Sequence, residues 1–368
     1  MDATASPNVS EIGAKTMKFG IFDYIDQRGE PLHKLYDERM VLLQAAEQAG
    51  FSGYHVTEHH VTPLSSTPSP TVFLAAAARE TSRIRLGALL FLLPLYHPIR
   101  LLQEFCMLDH LSGGRLDIGV GRGIAPPEFE ALSADFSRTQ EDYEHALNVL
   151  YQGFTQDRID YRCERYQFSD VPVVMRPLQR PYPPMWYGLR GDHGPVFAAK
   201  HGMNGVTLGP DDRCAAELAA FARHWSTYAD ERKRFNSPVQ SPMRGVMRTM
   251  FIADSDGEAD RLARPAYARW YDSLGWLWTR RGQTLPISIP QDFDLAKQTG
   301  TLVVGGPETV ARIFEAQAGR IRHNYLVLML AFGSLTHAQE MRSLELFQRE
   351  VMPRLAGLNN DAGAMAAA

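Results

Sequence analysis

A carboxylate followed by two imidazoles ends the segment "GYHVTEHH", residues 53–60. Glu58, His59 and His60 come directly after a short run of strand-forming residues. Three interpretations are open: a metal site, acid and base chemistry beside a cofactor, and polar residues that close a strand. A metal site is disfavoured, because neighbouring residues of a strand point to opposite faces and the chain lacks HxH, HExxH and paired aspartate ligands.

His59 is the candidate for proton transfer. An imidazole gains and loses a proton near neutral pH, and the adjacent Glu58 could fix which ring nitrogen carries it. Taken alone, a histidine that is only hydrogen-bonded at the start of a loop is the more frequent case. The function of His59 therefore depends on the groups that other strand ends bring beside it.

A second candidate is the arginine in the glycine-rich turn "GVGRG". A dinucleotide-binding turn is excluded, because the third glycine of GxGxxG is missing in either register. Gly121 and Gly123 let a ligand approach the backbone, while the guanidinium of Arg122 offers paired donors to a phosphate. An ion pair between Arg122 and Asp109 or Asp117 explains the same arginine equally well.

Strand-like and helix-like segments alternate along the chain, and this order predicts how the candidates are positioned. Eight alternating units without a long linker favour a closed (β/α)8 TIM barrel over an open sheet. In such a barrel the residues just after each strand face the active site. The strand-like segments are "MKFGIFD", "GYHV", "IRLGALLFLL", "RLDIGVGRG", "PMWYGL", "NGVTLG", "RGVMRTMFIA" and "HNYLVLML".

Two insertions are predicted within a single barrel domain at residues 17–355. Residues 152–184 alternate and contain several prolines, which indicates an inserted hairpin. Residues 274–304 mix tryptophan with glycine and proline, and we expect an irregular, mobile lid there. Trp276 and Trp278 in this lid indicate an apolar substrate.

Composition excludes several classes of partner. The formal net charge is −4, and the basic residues are scattered, so neither nucleic acid nor an anionic membrane surface is an expected partner. The three cysteines are far apart and predict no disulfide framework. Residues 1–16 show no secretory signal, so we expect a cytoplasmic protein, with a disordered tail at residues 1–16 and a flexible tail at 356–368.

The chain resembles the bacterial luciferase-like flavin-dependent monooxygenases over most of its length. The resemblance is carried by "EHH", "PSPTVFLAAAARETSRIRLG", "LPLYHPIRLLQEFCMLDHLSGGRLDIGVGRG", "RPYPPMWYG" and "RSLELFQREVMP", of which the long central block is the most specific. It implies a (β/α)8 barrel, commonly a homodimer formed through helices of the second and third units. It also implies reduced FMN (FMNH2) delivered by a separate reductase, or a reduced deazaflavin as in some relatives.

The resemblance assigns roles to individual residues. His59 corresponds to the family's active-site histidine, and Glu58 to its neighbouring carboxylate. Arg122 corresponds to the arginine that binds the flavin phosphate. Leu89 and Leu90 correspond to a non-prolyl cis peptide beneath the flavin ring.

Two departures from the family pattern bear on the cofactor. Gly121 stands where some luciferases carry a cysteine, which should leave that side of the flavin open, and we expect no light emission. Serine or threonine donors to the phosphate are missing after the fifth strand. Backbone N–H groups near Gly191 and Gly194, assisted by Arg190 or His193, are the predicted replacements.

The resulting hypothesis is a monooxygenase that uses reduced FMN and molecular oxygen to oxygenate a small, apolar organic substrate. A lid would exclude water while His59 acts as a base or hydrogen-bond partner. The alternatives are a deazaflavin-dependent oxidoreductase of the same fold and a flavin-binding protein without turnover. A metal hydrolase on the same barrel is the remaining alternative.

Overall fold

The structure is a computed structural model that describes residues 16–358. The strands are β1 (Lys18–Asp23), β2 (Gly53–Val56), β3 (Arg85–Leu92), β4 (Leu116–Gly121), β5 (Arg158–Arg162), β6 (Gln167–Pro172), β7 (Met185–Gly188), β8 (Asn204–Leu208), β9 (Arg244–Ile252), β10 (Leu302–Gly305) and β11 (Tyr325–Met329). The helices are α1 (Leu32–Gln48), α2 (Pro70–Glu80), α3 (Pro98–Leu111), α4 (Pro126–Ala131), α5 (Thr139–Thr155), α6 (His193–His201), α7 (Asp211–Thr227), α8 (Ala229–Lys233), α9 (Asp256–Thr279), α10 (Phe293–Gln298), α11 (Pro307–Ile321), α12 (His337–Leu346) and α13 (Met352–Ala356).

Eight parallel strands form a closed ring in the order β1, β2, β3, β4, β7, β8, β9 and β11. β11 pairs with β1 to complete it, and β8 pairs with β9 on the opposite side. These are the eight strands that the sequence predicts, and the (β/α)8 barrel is confirmed. β10 adds to the carboxyl-terminal half of β9 as a further parallel strand outside the ring.

The lower part of the barrel is filled by one large side chain. A Cβ at Gly20 would lie 1.9 Å from the hydroxyl oxygen of Tyr325, and a Cβ at Gly53 would lie 2.5 Å from it. The two glycines therefore leave the space that the tyrosine ring occupies. His55 and Trp186 pack around it, with His55 Nε2 2.7 Å from the Tyr325 hydroxyl. Because this end of the barrel interior is packed, a ligand can enter the barrel from the carboxyl ends of the strands.

The predicted hairpin is confirmed. β5 and β6 pair in antiparallel fashion between α5 and β7. The predicted tails at residues 1–16 and 356–368 fall almost wholly outside the described residues. Between residues 16 and 358, no helix combines the length and the apolar character that crossing a membrane requires.

The predicted irregular lid is wrong at both of its ends. α9 continues through Thr279, and its buried face, which includes Trp270, Leu274 and Trp278, keeps helical spacing to the end. β10 is fully buried, because "LVVG" is a short apolar run that pairs in parallel with β9. Irregular structure remains between α9 and α10, and the mobility of this segment stays a prediction.

α9 covers the mouth of the barrel. Its 24 residues correspond to a rod about 36 Å long, enough to cross the mouth. Residues of its buried face share one apolar cluster with the barrel side chains Phe22, Leu89 and Met247. The lid over the strand ends is therefore chiefly a helix, followed by the connecting residues 280–292.

Candidate active site

His59 follows β2, and its ring is held on two sides. Its Nδ1 lies 2.8 Å from Oε1 of Glu128, and the ring of Tyr24 stacks on it with centroids 5.8 Å apart. The side chain of His59 is 21% exposed and that of Glu128 only 2%. A carboxylate accepts hydrogen bonds, so Nδ1–H donates and Nε2 becomes the acceptor nitrogen of the neutral ring. Nε2 makes no hydrogen bond with residues 16–358.

Glu58 points away from His59. Its Oε1 lies 2.9 Å from His60 Nε2, and its Oε2 accepts the N–H of Leu92 at 2.9 Å. Tyr96 also donates to Glu58, and burial followed by this carboxylate raises the pKa of Tyr96 well above its usual range. The prediction that Glu58 fixes the tautomer of His59 is wrong, because adjacent residues of an extended chain face opposite ways. In the part of the chain that the structure describes, no three His, Cys, Asp or Glu side chains form a metal site.

Glu128 is the site residue that sequence reasoning missed. It lies in α4, which begins at Pro126 shortly after β4 ends. The ring of Phe129 lies beneath Gly123 and anchors the helix, since a Cβ there would come within 2.5 Å of that ring. Gly123 has a φ of +83°, a conformation that glycine adopts readily. A carboxylate just beyond a strand end could have indicated Glu128 as a site residue. Its partner His59 is 69 residues away in the chain, so the sequence does not show that the two meet.

Arg122 follows β4 and is exposed. It makes no hydrogen bond or ion pair with any residue between 16 and 358. The two aspartates that could have paired with it are engaged elsewhere. Asp117 binds Arg85 at 2.8 Å, and Asp109 accepts two hydrogen bonds from Gln179 at 2.7 Å. The alternative of an ion pair is therefore wrong, and the guanidinium is available to a ligand.

The bond between Leu89 and Leu90 is cis, as the resemblance implies. Leu90 is half-buried and lies against the next strand, where a Cβ at Gly121 would be 2.8 Å from its Cδ1. A Cβ at Gly188 of β7 would be 3.9 Å from the same atom. The expectation that Gly121 leaves an open face is wrong, because the side chain of Leu90 fills that space.

Two of the predicted phosphate donors are already engaged within the protein. The N–H of Gly191 donates to Oε1 of Glu217 at 2.9 Å. The N–H of Gly194 faces the carbonyl of Arg190 at 3.4 Å. Glu217 is buried and also accepts from Thr207, so its position is fixed by α7 and β8. A phosphate would have to use other groups at this end of α6.

Arg190 and His193 remain exposed beside the first turn of α6. Arg190 donates from Nη2 to the carbonyl of Pro286 at 3.1 Å and so contacts the segment that follows α9. His193 packs against Phe197 with ring centroids 5.5 Å apart. In the first turn of α6 the N–H of Gly194 is engaged and Pro195 has no N–H, so the backbone N–H of His193 is the donor that this turn offers to an anion.

The two lid tryptophans have different surroundings. Trp278 is 8% exposed and packs with Leu277 against Ala125, next to α4. Trp276 is half-buried, carries the guanidinium of Arg280 over its ring at 4.7 Å, and lines a cleft of about 510 Å³ beside residues 283–285. Residues two apart on a helix point to different sides. The two indoles therefore do not form one shared substrate surface.

A buried charged network lies beside Tyr24, behind the site. Asp23 contacts Nε of Arg39 at 3.1 Å and accepts from the Tyr54 hydroxyl at 2.5 Å. Asp26 accepts the N–H of Gly333 at 2.6 Å, while its Oδ1 has no partner within residues 16–358. Burial raises the pKa of Asp26 to about 7.

Comparison with known sequences places the chain among flavin enzymes. Residues 17–322 match the family model of the luciferase-like monooxygenases. An uncharacterised protein of Sinorhizobium fredii, y4wF, is 33% identical over 92% of this chain and 97% of its own length. The oxygenase component of a flavin-dependent trigonelline monooxygenase from Acinetobacter baylyi is 28% identical over 66% of this chain and 67% of that protein.

Solved structures show the same fold. The monooxygenase RslO1 from Streptomyces bottropensis superposes with a TM-score of 0.82, covering 92% of this chain and 100% of that one at 22% identity. The match of the family model spans most of the chain and includes β2, β3, β4 and β7, whose ends carry the site. The protein belongs to the luciferase-like monooxygenase family and is a flavin-dependent enzyme of that family.

Proposed function

We propose that the protein is the oxygenase of a two-component system, which uses reduced FMN from a separate reductase and molecular oxygen to oxygenate a small, apolar organic substrate. The main support is a contrast between two groups at the strand ends. Arg122 makes no hydrogen bond or ion pair within residues 16–358, whereas His59 is hydrogen-bonded to Glu128. An unpaired guanidinium suits a phosphate, and a fixed imidazole suits proton transfer. The name of the trigonelline relative, an oxygenase component, supports a separate reductase.

The residues present fit reduced FMN. Arg122 would hold the phosphate, assisted by the first turn of α6 and the exposed His193. Leu90, half-buried between the ends of β4 and β7, offers an apolar surface to the ring system. When bound, reduced flavin supplies the two electrons that oxygen activation requires.

His59 holds or accepts a proton at Nε2, because Nδ1–H is directed to Glu128. The ring of Tyr24 stacks on the imidazole and restricts its rotation. The ring centroid of Tyr24 lies 6.1 Å from that of Trp270 in α9. Tyr24 covers one face of the imidazole and limits the access of water to it, which favours oxygen transfer over release of hydrogen peroxide. The apolar surroundings also favour an apolar substrate.

Oxygen consumption with FMN and an added flavin reductase tests the proposal. The wild-type protein should bind reduced FMN anaerobically and change the course of its reoxidation after rapid mixing with oxygen. His59→Ala should bind reduced FMN but release more hydrogen peroxide per flavin oxidised. Reaction with a reduced deazaflavin and none with reduced FMN would contradict the cofactor assignment, and unchanged reoxidation with both would contradict catalysis.

We also propose that the protein is a homodimer through α2 and α3. Val72 of α2 is 71% exposed and Met107 of α3 is 52% exposed, and the two helices pack side by side. Exposed apolar side chains on adjacent helices are typical of a subunit interface. Light scattering should give a dimer for the wild type and a monomer for Val72→Lys combined with Met107→Glu. A wild-type monomer would contradict the interface.

A further inference from the structure

We propose that α4 transmits the docking of α9 to the imidazole of His59, so that Trp278 and Arg281 are positioning residues for that ring. The inference rests on the proposed function only in taking His59 as the group that handles the proton. It assigns a role to the end of the lid helix that is separate from covering the substrate.

The carboxyl-terminal end of α9 contacts α4 at two points. The buried side chains of Leu277 and Trp278 form one apolar cluster with Ala125, the residue immediately before α4. Beyond the helix end, Nη2 of Arg281 lies 2.8 Å from Oε2 of Glu130. One contact is apolar and the other is an exposed ion pair, so the apolar contact provides most of the attachment.

Glu128 lies between these two contacts along α4. The helix has six residues, so its two ends cannot move independently over any large distance. Its carboxylate is buried and accepts from His59 Nδ1. Phe129, the next residue, is fully buried beneath Gly123 and fixes the other side of the helix.

The position of this carboxylate determines the tautomer of His59. With Glu128 in place, the proton of the neutral ring is on Nδ1, and Nε2 is the free acceptor. No other side chain within residues 16–358 hydrogen-bonds to the ring. If α9 leaves α4, the helix loses its cover over Ala125, and the ring loses a fixed partner at Nδ1. The imidazole should then adopt the Nε2-protonated tautomer that predominates in free histidine.

The experiment is nuclear magnetic resonance of the full chain labelled with 15N-histidine, at a pH at which the ring is neutral. The 15N shifts of His59 distinguish Nδ1–H from Nε2–H, and the His59→Gln spectrum assigns its signals. We expect Nδ1–H in the wild type. Trp278→Ala, Arg281→Glu and Glu128→Ala, which removes the acceptor, should each lose the Nδ1-protonated signal, wholly or in part.

Matched controls exist on the same helix end. Arg280→Glu reverses a neighbouring charge that stacks on Trp276 instead of contacting α4, and it should keep the wild-type signal. Trp276→Ala removes an indole that lines the outer cleft and should do the same. Combining Arg281→Glu with Glu130→Arg restores the ion pair in reverse and should recover the wild-type signal.

The outcomes separate this inference from the proposed function. Wild-type shifts in Trp278→Ala and Arg281→Glu, with an altered signal in Glu128→Ala, overturn the coupling through α4 and leave the oxygenase proposal unaffected. Wild-type shifts in all three overturn the role of Glu128 as well. If Trp278→Ala does not fold, Arg281→Glu and its rescue decide. Failure to react with reduced FMN and oxygen would contradict the oxygenase proposal whatever the tautomer.

Discussion

His59 and Glu128 are joined by a hydrogen bond of 2.8 Å, although 69 residues separate them in the chain. The histidine follows β2 and the glutamate lies in the short helix after β4, so the bond crosses over the end of β3. It fixes the ring while leaving one nitrogen without a partner among residues 16–358. A base held in one orientation does not populate unproductive rotamers. Proton transfer at a crowded site requires such a fixed orientation.

Glu128→Gln should lower turnover about fivefold to thirtyfold, because a charge-assisted hydrogen bond that orients the base is weakened by about 1–2 kcal/mol. The affinity for reduced FMN should change little, since Glu128 is buried against His59 and the phosphate is assigned to the exposed Arg122. Steady-state rates at saturating flavin measure the effect. Glu164→Gln, an exposed position on the hairpin, is the control, and equal rates in wild type and Glu128→Gln would disprove the orienting role.

Arg122→Ala should weaken the binding of reduced FMN about tenfold to a hundredfold, because a charged hydrogen bond contributes about 1.5–3 kcal/mol. Reduced riboflavin, which lacks the phosphate, should bind wild type and variant alike. Anaerobic titrations with both ligands measure this difference. Arg158→Ala, on the distant hairpin, serves as the control, and an equal loss of riboflavin affinity would place the phosphate elsewhere.

The protein should lose stability as the pH falls from about 6.5 to about 4. Burial lowers the pKa of His55 and of His201 to about 4, and that of His323 to about 3. Between these values and the unfolded value the unfolded chain binds more protons, so the free energy of unfolding decreases with decreasing pH. Each fully buried ring contributes on the order of 3 kcal/mol to this loss of unfolding free energy.

Chemical denaturation at a series of pH values measures this loss. His55→Gln removes one titrating ring while keeping a polar partner for Tyr325, and it should reduce the slope of the unfolding free energy against pH by about one proton. His145→Gln changes a more exposed histidine that pairs with Glu141, and it is the control. A slope unchanged by His55→Gln would show that this ring is protonated in the folded state.

Asp26→Asn should stabilise the protein at pH 8 relative to the wild type and have little effect at pH 4. The pKa of Asp26 is raised to about 7, chiefly by burial, so the folded state prefers the protonated acid. The stabilising contribution of this proton is complete below the unfolded pKa of about 4 and is lost as the pH rises through about 7. An asparagine is neutral throughout and keeps an oxygen for the Gly333 N–H.

Denaturant titrations at pH 5 and pH 8 compare the two proteins. The difference in unfolding free energy should grow with pH, because only in the wild type does ionisation of a buried carboxyl destabilise the folded state. Asp254→Asn, at an exposed ion pair with Arg342, should show no such growth. A constant difference between pH 5 and pH 8 would mean that Asp26 is ionised in the folded state at both.

Much of the architecture was predictable from local patterns. The eight barrel strands are apolar runs followed by polar residues, and each predicted strand end lies within about two residues of the observed one, because hydrophobic periodicity depends only on neighbouring residues. The hairpin between α5 and β7 follows from alternation and proline spacing in the same way. The cis bond between Leu89 and Leu90 is predicted by the family resemblance alone, since nothing in two leucines specifies it.

The order of elements along the chain predicts a barrel, and the structure confirms that His59, Leu90 and Arg122 lie at the carboxyl ends of the neighbouring strands β2, β3 and β4. Their partners could not be predicted and come from packing in the folded chain: Glu128 instead of Glu58 at His59, Leu90 over Gly121, and Glu217 on the N–H of Gly191. The physical reason is that strand positions follow from local backbone periodicity, whereas a side-chain partner depends on packing between segments that are distant in the chain.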